Sequence, residues 1–237
     1  MAPPRSRRES QAQTRERLME VAATELIERG YRATSLERLA EQAGYSKGAV
    51  YSNFAGKEEL VLAVLDQHFV NRLNILQEAL LAAPETLEDR MAAFTAWWEG
   101  MVGEQEWGVL ILEFASATRD RPGIQAQLAD REQRILGFVT MLIEAEAERF
   151  GVRLPLTAHE LASVLVALGS GLSFSRMLEP TIPIGVLSDL ARILFVDLPR
   201  AGAPAGQDPV SPDSVIPDAI SPDAISPDAI SPDAAQG

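Results

Sequence analysis

The stretch from Thr34 to Leu60, TSLERLAEQAGYSKGAVYSNFAGKEEL, leaves this chain few folds to choose from. Thr34 followed by Glu37 three residues later has the form of a capping box and predicts a helix start. Leu36, Leu39 and Ala40 supply that helix with an apolar stripe, and Ala43–Gly44 stops it. Ser46 is a good N-cap for a further helix reaching about Phe54. Only three or four residues, a glycine among them, separate the two, which is helix-turn-helix spacing. Upstream, Thr14 to Arg29 is amphipathic, with Leu18, Val21, Ala22 and Leu26 on one face and Gly30 as its stop.

Charge adds to this. The chain has two lysines, Lys47 and Lys57, and both lie in the stretch, although the net charge is −13. Residues 1–57 hold ten Lys/Arg against seven Asp/Glu, and residues 58–237 hold eleven against twenty-seven. A cationic region at one end of an acidic chain points to local contact with a polyanion; an ordinary solvated charge distribution would leave the same tally. A nine-residue helix from Ser46 is about 13 Å long, and the major groove of DNA, about 12 Å wide, admits it. Its first residues, Ser46, Lys47, Gly48 and Ala49, are small or basic. Val50 and Phe54, four apart, face the core, which turns Tyr51 and Ser52 toward the groove. Lys57 opens the next helix, where a cation opposes the helix dipole unless an anion is close; a phosphate or Glu59 meets that need equally well.

The rest of the chain keeps a helical period. Helices are predicted over 57–82, 87–102, 107–118, 122–150, 157–178 and 183–198, the fifth opened by a second capping box, Thr157 with Glu160. No stretch alternates with period two between turn signals, so the fold class is all-α. Beyond Arg200 the chain carries six aspartates and no base, five of them in a five-residue SPDAI-type repeat whose proline every fifth residue forbids helix. The chain contains no cysteine, and His68 and His159 have no nucleophile or acid at a recognisable spacing. That composition predicts no metal site, no cofactor and no enzyme activity. The run Leu161–Ser175 is too short to span a bilayer, which predicts a cytoplasmic protein without membrane contact.

Gly30-Tyr31, Thr34, Ala40, Ala43-Gly44, Tyr45 through Phe54, and Lys57-Glu58-Glu59-Leu60 together resemble the N-terminal domain of the TetR/AcrR family of bacterial transcriptional regulators, over about 47 residues from Thr14 to Leu60. The resemblance implies a three-helix helix-turn-helix DNA-binding domain, a C-terminal ligand-binding and dimerisation domain of roughly six helices, and a homodimer. With a disordered basic arm (1–13) and a disordered acidic tail (201–237) read from composition, it divides the rest into a DNA-binding domain (14–56) and a C-terminal domain (57–200). It also implies roles: Thr34 and Lys57 on phosphate, Tyr45, Ser46, Lys47 and Gly48 at the head of the recognition helix, and Tyr51, Ser52 and Asn53 continuing its face. Many members carry an aromatic where this chain has Ser52 and a histidine where it has Asn53, so the operator sequence does not transfer.

The implied activity is a repressor that binds a palindromic operator as a homodimer and is released by a small-molecule effector. An activator of the same fold and an architectural DNA-binding protein without ligand are the alternatives. Ile184, Leu187, Ala191 and Leu194 are spaced 3, 4 and 3 on the last helix, and Ala167 and Gly171 lie among small residues on the helix before it. These six are the expected dimer seam, though packing within the chain would use the same stripe. Trp97, Met101, Trp107, Glu113, Phe114, Met141 and Phe174 are the expected effector pocket, although such residues also build ordinary cores.

Overall fold

The computed structural model describes residues 7–102 and 104–193. Among them the chain forms nine helices and no strand: α1 (Arg7–Ala33), α2 (Leu36–Ala43), α3 (Lys47–Tyr51), α4 (Lys57–Ala82), α5 (Leu87–Val102), α6 (Gln105–Ala117), α7 (Pro122–Phe150), α8 (Ala158–Leu178) and α9 (Val186–Arg192). They divide into two compact units. Among the described residues, the first takes in residues 7–71 together with Glu104–Asp130, and the second takes in residues 72–102 and 131–193. The first unit is thus wider than the 14–56 segment, because α6 and the first turns of α4 and α7 belong to it. Helix α1 begins at Arg7, inside the stretch expected as a disordered arm. Residues 1–6 and the acidic tail lie outside the described residues.

In the first unit, Leu18, Ala22 and Leu26 repeat every four residues along α1 and are fully buried against Leu39, Val50, Phe54, Leu60, Val61 and Leu65. Helix α6 adds Leu110 and Phe114 to the same core, and Phe114 meets the Tyr31 ring edge-on at 5.0 Å. Gly30 breaks the helical path of α1 with φ 77° and ψ 171°. The break turns the amides of Tyr31 and Arg32 toward Glu113 of α6, whose two carboxylate oxygens accept from them at 2.8 and 3.0 Å.

The entry to α2 differs from the sequence expectation. Ser35 caps the helix, its hydroxyl accepting from the Arg38 amide, while the Thr34 hydroxyl donates back to the Gly30 carbonyl at 2.9 Å. The capping box starting at Thr34 is therefore displaced by one residue and loses its Glu37 partner. Gly44 ends α2 in the left-handed conformation, φ 75°, as a helix C-terminus favours, and the Tyr45 amide returns to the Ala40 carbonyl at 2.8 Å.

In the second unit, Leu87, Trp98, Ile143, Leu161, Ala162, Leu165 and Leu187 form the core. Thr157 and Glu160 make the predicted capping box of α8. The Trp98 indole N–H donates to the Ile184 carbonyl at 3.1 Å, and its ring lies so close to Gly169 that a Cβ there would meet it at 2.7 Å. Gly169 thus makes room for a tryptophan of its own chain. Arg90, 5% exposed, is bound by both oxygens of Glu146 and donates to the Leu80 carbonyl. Helix α8 is long and apolar enough, by length and composition, to cross a bilayer. However, its Leu161–Ala162–Leu165–Gly169 face is spent on this core.

Candidate nucleic-acid interface

Helix α3 is five residues long, shorter than the nine expected, with Ser52 and Asn53 in the turn that follows. Ser46 caps it as predicted, its hydroxyl accepting from the Ala49 amide at 3.2 Å. Val50 and Phe54 are buried beneath it, which leaves Ser46, Lys47, Gly48, Tyr51 and Ser52 exposed together, Tyr51 by 53%. Tyr45 and Asn53 flank this face, half-buried. The Ser52 hydroxyl and the Asn53 amide both donate to the Ala49 carbonyl, at 2.9 and 2.8 Å, and so close the end of the helix. Lys47 extends to Glu37 of α2, 3.0 Å away. That ammonium is the leading cause holding the Glu37 carboxyl below its usual range.

Thr34 lies apart from this face, 3% exposed, with its hydroxyl committed to Gly30. Its side chain therefore ties the start of α2 back to the break in α1, and the burial of the residue does not fit the phosphate contact expected of it. Lys57 sits over the Tyr31 ring, 4.1 Å from its centroid, and burial pushes its pKa down against the opposing pull of Glu58 and Glu113. Tyr31 is in turn pushed up to about 12, first by burial and then by its hydrogen bond to Glu58 at 3.0 Å. Glu58 also holds Arg121, at 2.5 Å.

Two residues that hold α2 and the end of α3 against α1 have no motif to announce them. Arg15 of α1 donates to the Asn53 carbonyl at 2.6 Å, lies over the Phe54 ring at 4.1 Å and is 3.9 Å from Glu59. Glu25, buried on α1, accepts from Gln42 at 2.6 Å and lies 3.0 Å from Arg38 and 3.3 Å from Arg29, so two of its three partners, Gln42 and Arg38, tie α1 to α2. The Gln42 hydrogen bond foremost, with both guanidiniums, keeps its carboxyl below the usual range despite burial. An i, i+4 count along α1 places Glu25 beside Arg29 but cannot supply Gln42 or Arg38.

The seven expected pocket residues are divided between the two units, three in the first and four in the second. Glu113 is occupied by the Tyr31 and Arg32 amides, Phe114 is sealed in the first core, and Trp107 stacks on His68 at 3.7 Å. These three belong to the first unit, and Trp97, Met101, Met141 and Phe174 to the second. There the Trp97 indole donates to the Arg72 carbonyl, while Phe174 and Met141 are exposed. A cleft of about 430 Å³ in the first unit, lined by Ala55, Gly56, Glu58, Glu59, Leu62, Ile124 and Gln127, contains none of the seven.

The expected dimer seam also needs correction. Leu187 and Ala191 are buried in the second unit's own core, Ile184 packs against it, and Leu194 lies outside the described residues. Ala167 and Gly171 are exposed, in register with Val164, Phe174 and Leu178 along α8. On α9 the exposed apolar residues are Val186 and Ile193.

A two-helix turn presenting one small, exposed, lysine-bearing face over a sealed core defines a helix-turn-helix DNA-binding protein. Residues 18–64 match the family described as bacterial regulatory proteins, tetR family. The chain is 31% identical over 110 residues to the HTH-type transcriptional activator FasR of Mycolicibacterium smegmatis, covering 46% of this chain and 50% of that one. It is 29% identical over 138 residues to the HTH-type transcriptional repressor KstR2 of the same organism, covering 58% and 67%. The chain thus spans half the length of FasR in that match. The crystal structure of a putative TetR-family transcriptional regulator from Rhodococcus sp. superposes with a TM-score of 0.65 at 20% identity, covering 78% of this chain and 99% of that one. The tetR-family match thus covers residues 18–64, the segment that carries the helix-turn-helix.

Proposed function

We propose that the protein is a transcriptional regulator that binds a palindromic operator as a homodimer and is released by a small-molecule effector, acting in the cytoplasm. The observation that carries this is the exposed face from Ser46 to Ser52 above buried Val50 and Phe54. Small residues at its head allow close approach to a groove, and Lys47 and Tyr51 extend from it as donors. Asn53 and Tyr45 border that face. Lys57 is assigned to a phosphate, with Tyr31 holding its stem.

Dimerisation is supported by apolar surface left exposed among the described residues. Val164, Ala167, Gly171, Phe174 and Leu178 are spaced 3, 4, 3 and 4 along the exposed side of α8, the period of a helix-packing seam. One short helix reads only a few base pairs, and at roughly 1–3 kcal/mol per mismatch two copies on a two-fold axis are needed for useful discrimination. The effector site is assigned to the second unit, around Trp97 and Met101, both half-buried.

Repression is the preferred sign of regulation, and activation is the second reading, since FasR is an activator and KstR2 a repressor. Selection of bound duplexes from fragmented genomic DNA, followed by footprinting, tests the proposal. A palindromic footprint with two protected half-sites is expected. Binding that is independent of sequence would leave only the architectural alternative.

A further inference from the structure

Between Tyr45 and Gly56 the chain carries a single charged side chain, Lys47. It stands on the exposed face of α3, yet it is paired: its Nζ is 3.0 Å from Oε1 of Glu37, itself half exposed in the first turn of α2. Exposed pairs of this kind add little to stability, so the consequence of this one lies in what the face binds. A carboxylate there repels phosphates and occupies the ammonium that would neutralise one, which weakens sequence-independent binding. The nearest other cation on α2, Arg38, is 3.0 Å from Glu25 and is not free to take Lys47's place.

An ammonium donor beside a carboxylate acceptor complements one kind of base pair. In the major groove, guanine offers O6 and N7 as acceptors, and cytosine offers the N4 amino group as a donor. Lysine pairs with the former and glutamate with the latter. An A·T pair also has an amino group, but it presents single acceptors and the thymine methyl beside it, a poorer match for two opposite charges.

We infer that Glu37 and Lys47 act as one reading unit for a single G·C base pair in each half-site, Lys47 donating to guanine and Glu37 accepting from cytosine N4. Glu37 is then a specificity-determining residue that also lowers affinity for generic duplex. The inference rests on the assignment of α3 as the recognition helix.

The test uses the full chain with Glu37→Ala, Glu37→Gln and Lys47→Gln, each checked for an intact thermal transition. Sites are selected from a randomised duplex library, and binding to a scrambled duplex is titrated against salt. The wild type is expected to fix a G·C pair at one position per half-site. Glu37→Ala should lose that preference by on the order of tenfold. It should also bind scrambled duplex more tightly, with a salt slope steeper by about one phosphate contact because Lys47 is released. Glu37→Gln should show the same steeper slope while keeping part of the preference, since its carbonyl still accepts. Lys47→Gln must weaken preference at the same base pair. Unchanged base preferences and salt slope in both Glu37 variants would overturn the inference, as would effects of Glu37 and Lys47 at different positions. A wild type that selects no site at all would instead remove the α3 assignment on which the inference rests.

Discussion

Replacing Gly30 by alanine should be among the most damaging single-methyl additions in the first unit, for two reasons that add. With φ 77° and ψ 171°, Gly30 occupies a region open almost only to glycine, where another residue costs about 1–3 kcal/mol. The added Cβ would also lie 2.6 Å from Oε2 of Glu113. A side-chain end usually swings away from such a contact, but this carboxylate is held at 2.8 and 3.0 Å by the Tyr31 and Arg32 amides. Moving it forfeits at least one hydrogen bond to a charged group, about 1.5–3 kcal/mol. Together these give roughly 3–5 kcal/mol. At a urea dependence of about 2 kcal/mol per molar, the midpoint should fall by on the order of 2 M. The assay is urea unfolding of the full chain followed by tryptophan fluorescence, with variants that retain only Trp107 reporting on the first unit. Glu113→Ala and the Gly30→Ala/Glu113→Ala double variant separate the two causes. The collision requires the double variant to lose clearly less than the sum of the singles, whereas backbone strain alone gives additivity. A loss below about 1 kcal/mol for Gly30→Ala would refute both parts of the reasoning.

Other residues give sharp outcomes as well. Arg15→Ala removes the guanidinium from the Asn53 carbonyl and the Phe54 ring, so stability should fall by about 1–2 kcal/mol and operator affinity should fall with it; Arg15→Lys should restore little, and unchanged amide exchange protection in α3 would count against the strap. Glu25→Gln should destabilise the chain at neutral pH. Because the Glu25 carboxyl is held below 4.5 in the folded state, its contribution is fully present above that value and disappears as pH falls through the lowered one. Wild type and variant melting temperatures should therefore converge in acid, and a constant gap would contradict the assignment. Phe174→Glu should convert a dimer into monomers by sedimentation without loss of helix, whereas Leu187→Ala should cost about 2–5 kcal/mol of stability and leave association intact. The reverse pattern would return the seam to the Leu187 stripe.

Much of the fold was legible in the sequence because local rules decide it. The bounds of α4, α5 and α7, the Thr157–Glu160 box, the Ser46 cap and the Gly44 stop depend on periodicity, proline and short-range hydrogen bonds. The Val50 and Phe54 pair was legible for the same reason, since four-residue spacing fixes which side faces the core. Errors arose where two neighbours compete for one role. Thr34 and Ser35 are both good caps, and the choice depends on whether the Gly30 carbonyl takes the Thr34 hydroxyl, a consequence of the break in α1. The α9 stripe failed similarly: Ile184, Leu187 and Ala191 have the spacing of a seam, but a stripe does not state which surface it covers, and here that surface is the chain's own α5 and α8.

Glu113 shows why the site was harder to read than the fold. In sequence it interrupts the apolar run Val109–Leu112 and suggests a polar contact for an effector. Its actual partners are two backbone amides some eighty residues away, exposed only because glycine lets α1 turn at residue 30. Tyr31 concentrates the same effect: its amide meets Glu113, its ring meets Phe114 and Lys57, and its hydroxyl meets Glu58, which also holds Arg121. Three segments distant in sequence therefore meet around Tyr31, Arg121 through Glu58, beside the positions assigned to DNA. A shift of α6 relative to α1 would strain the two amide hydrogen bonds of Glu113 and the edge-on contact of Phe114 with the Tyr31 ring on which Lys57 rests. The α1–α6 contact thus couples Lys57 to α6 through named atoms, and a domain boundary drawn after residue 56 would cut through that connection.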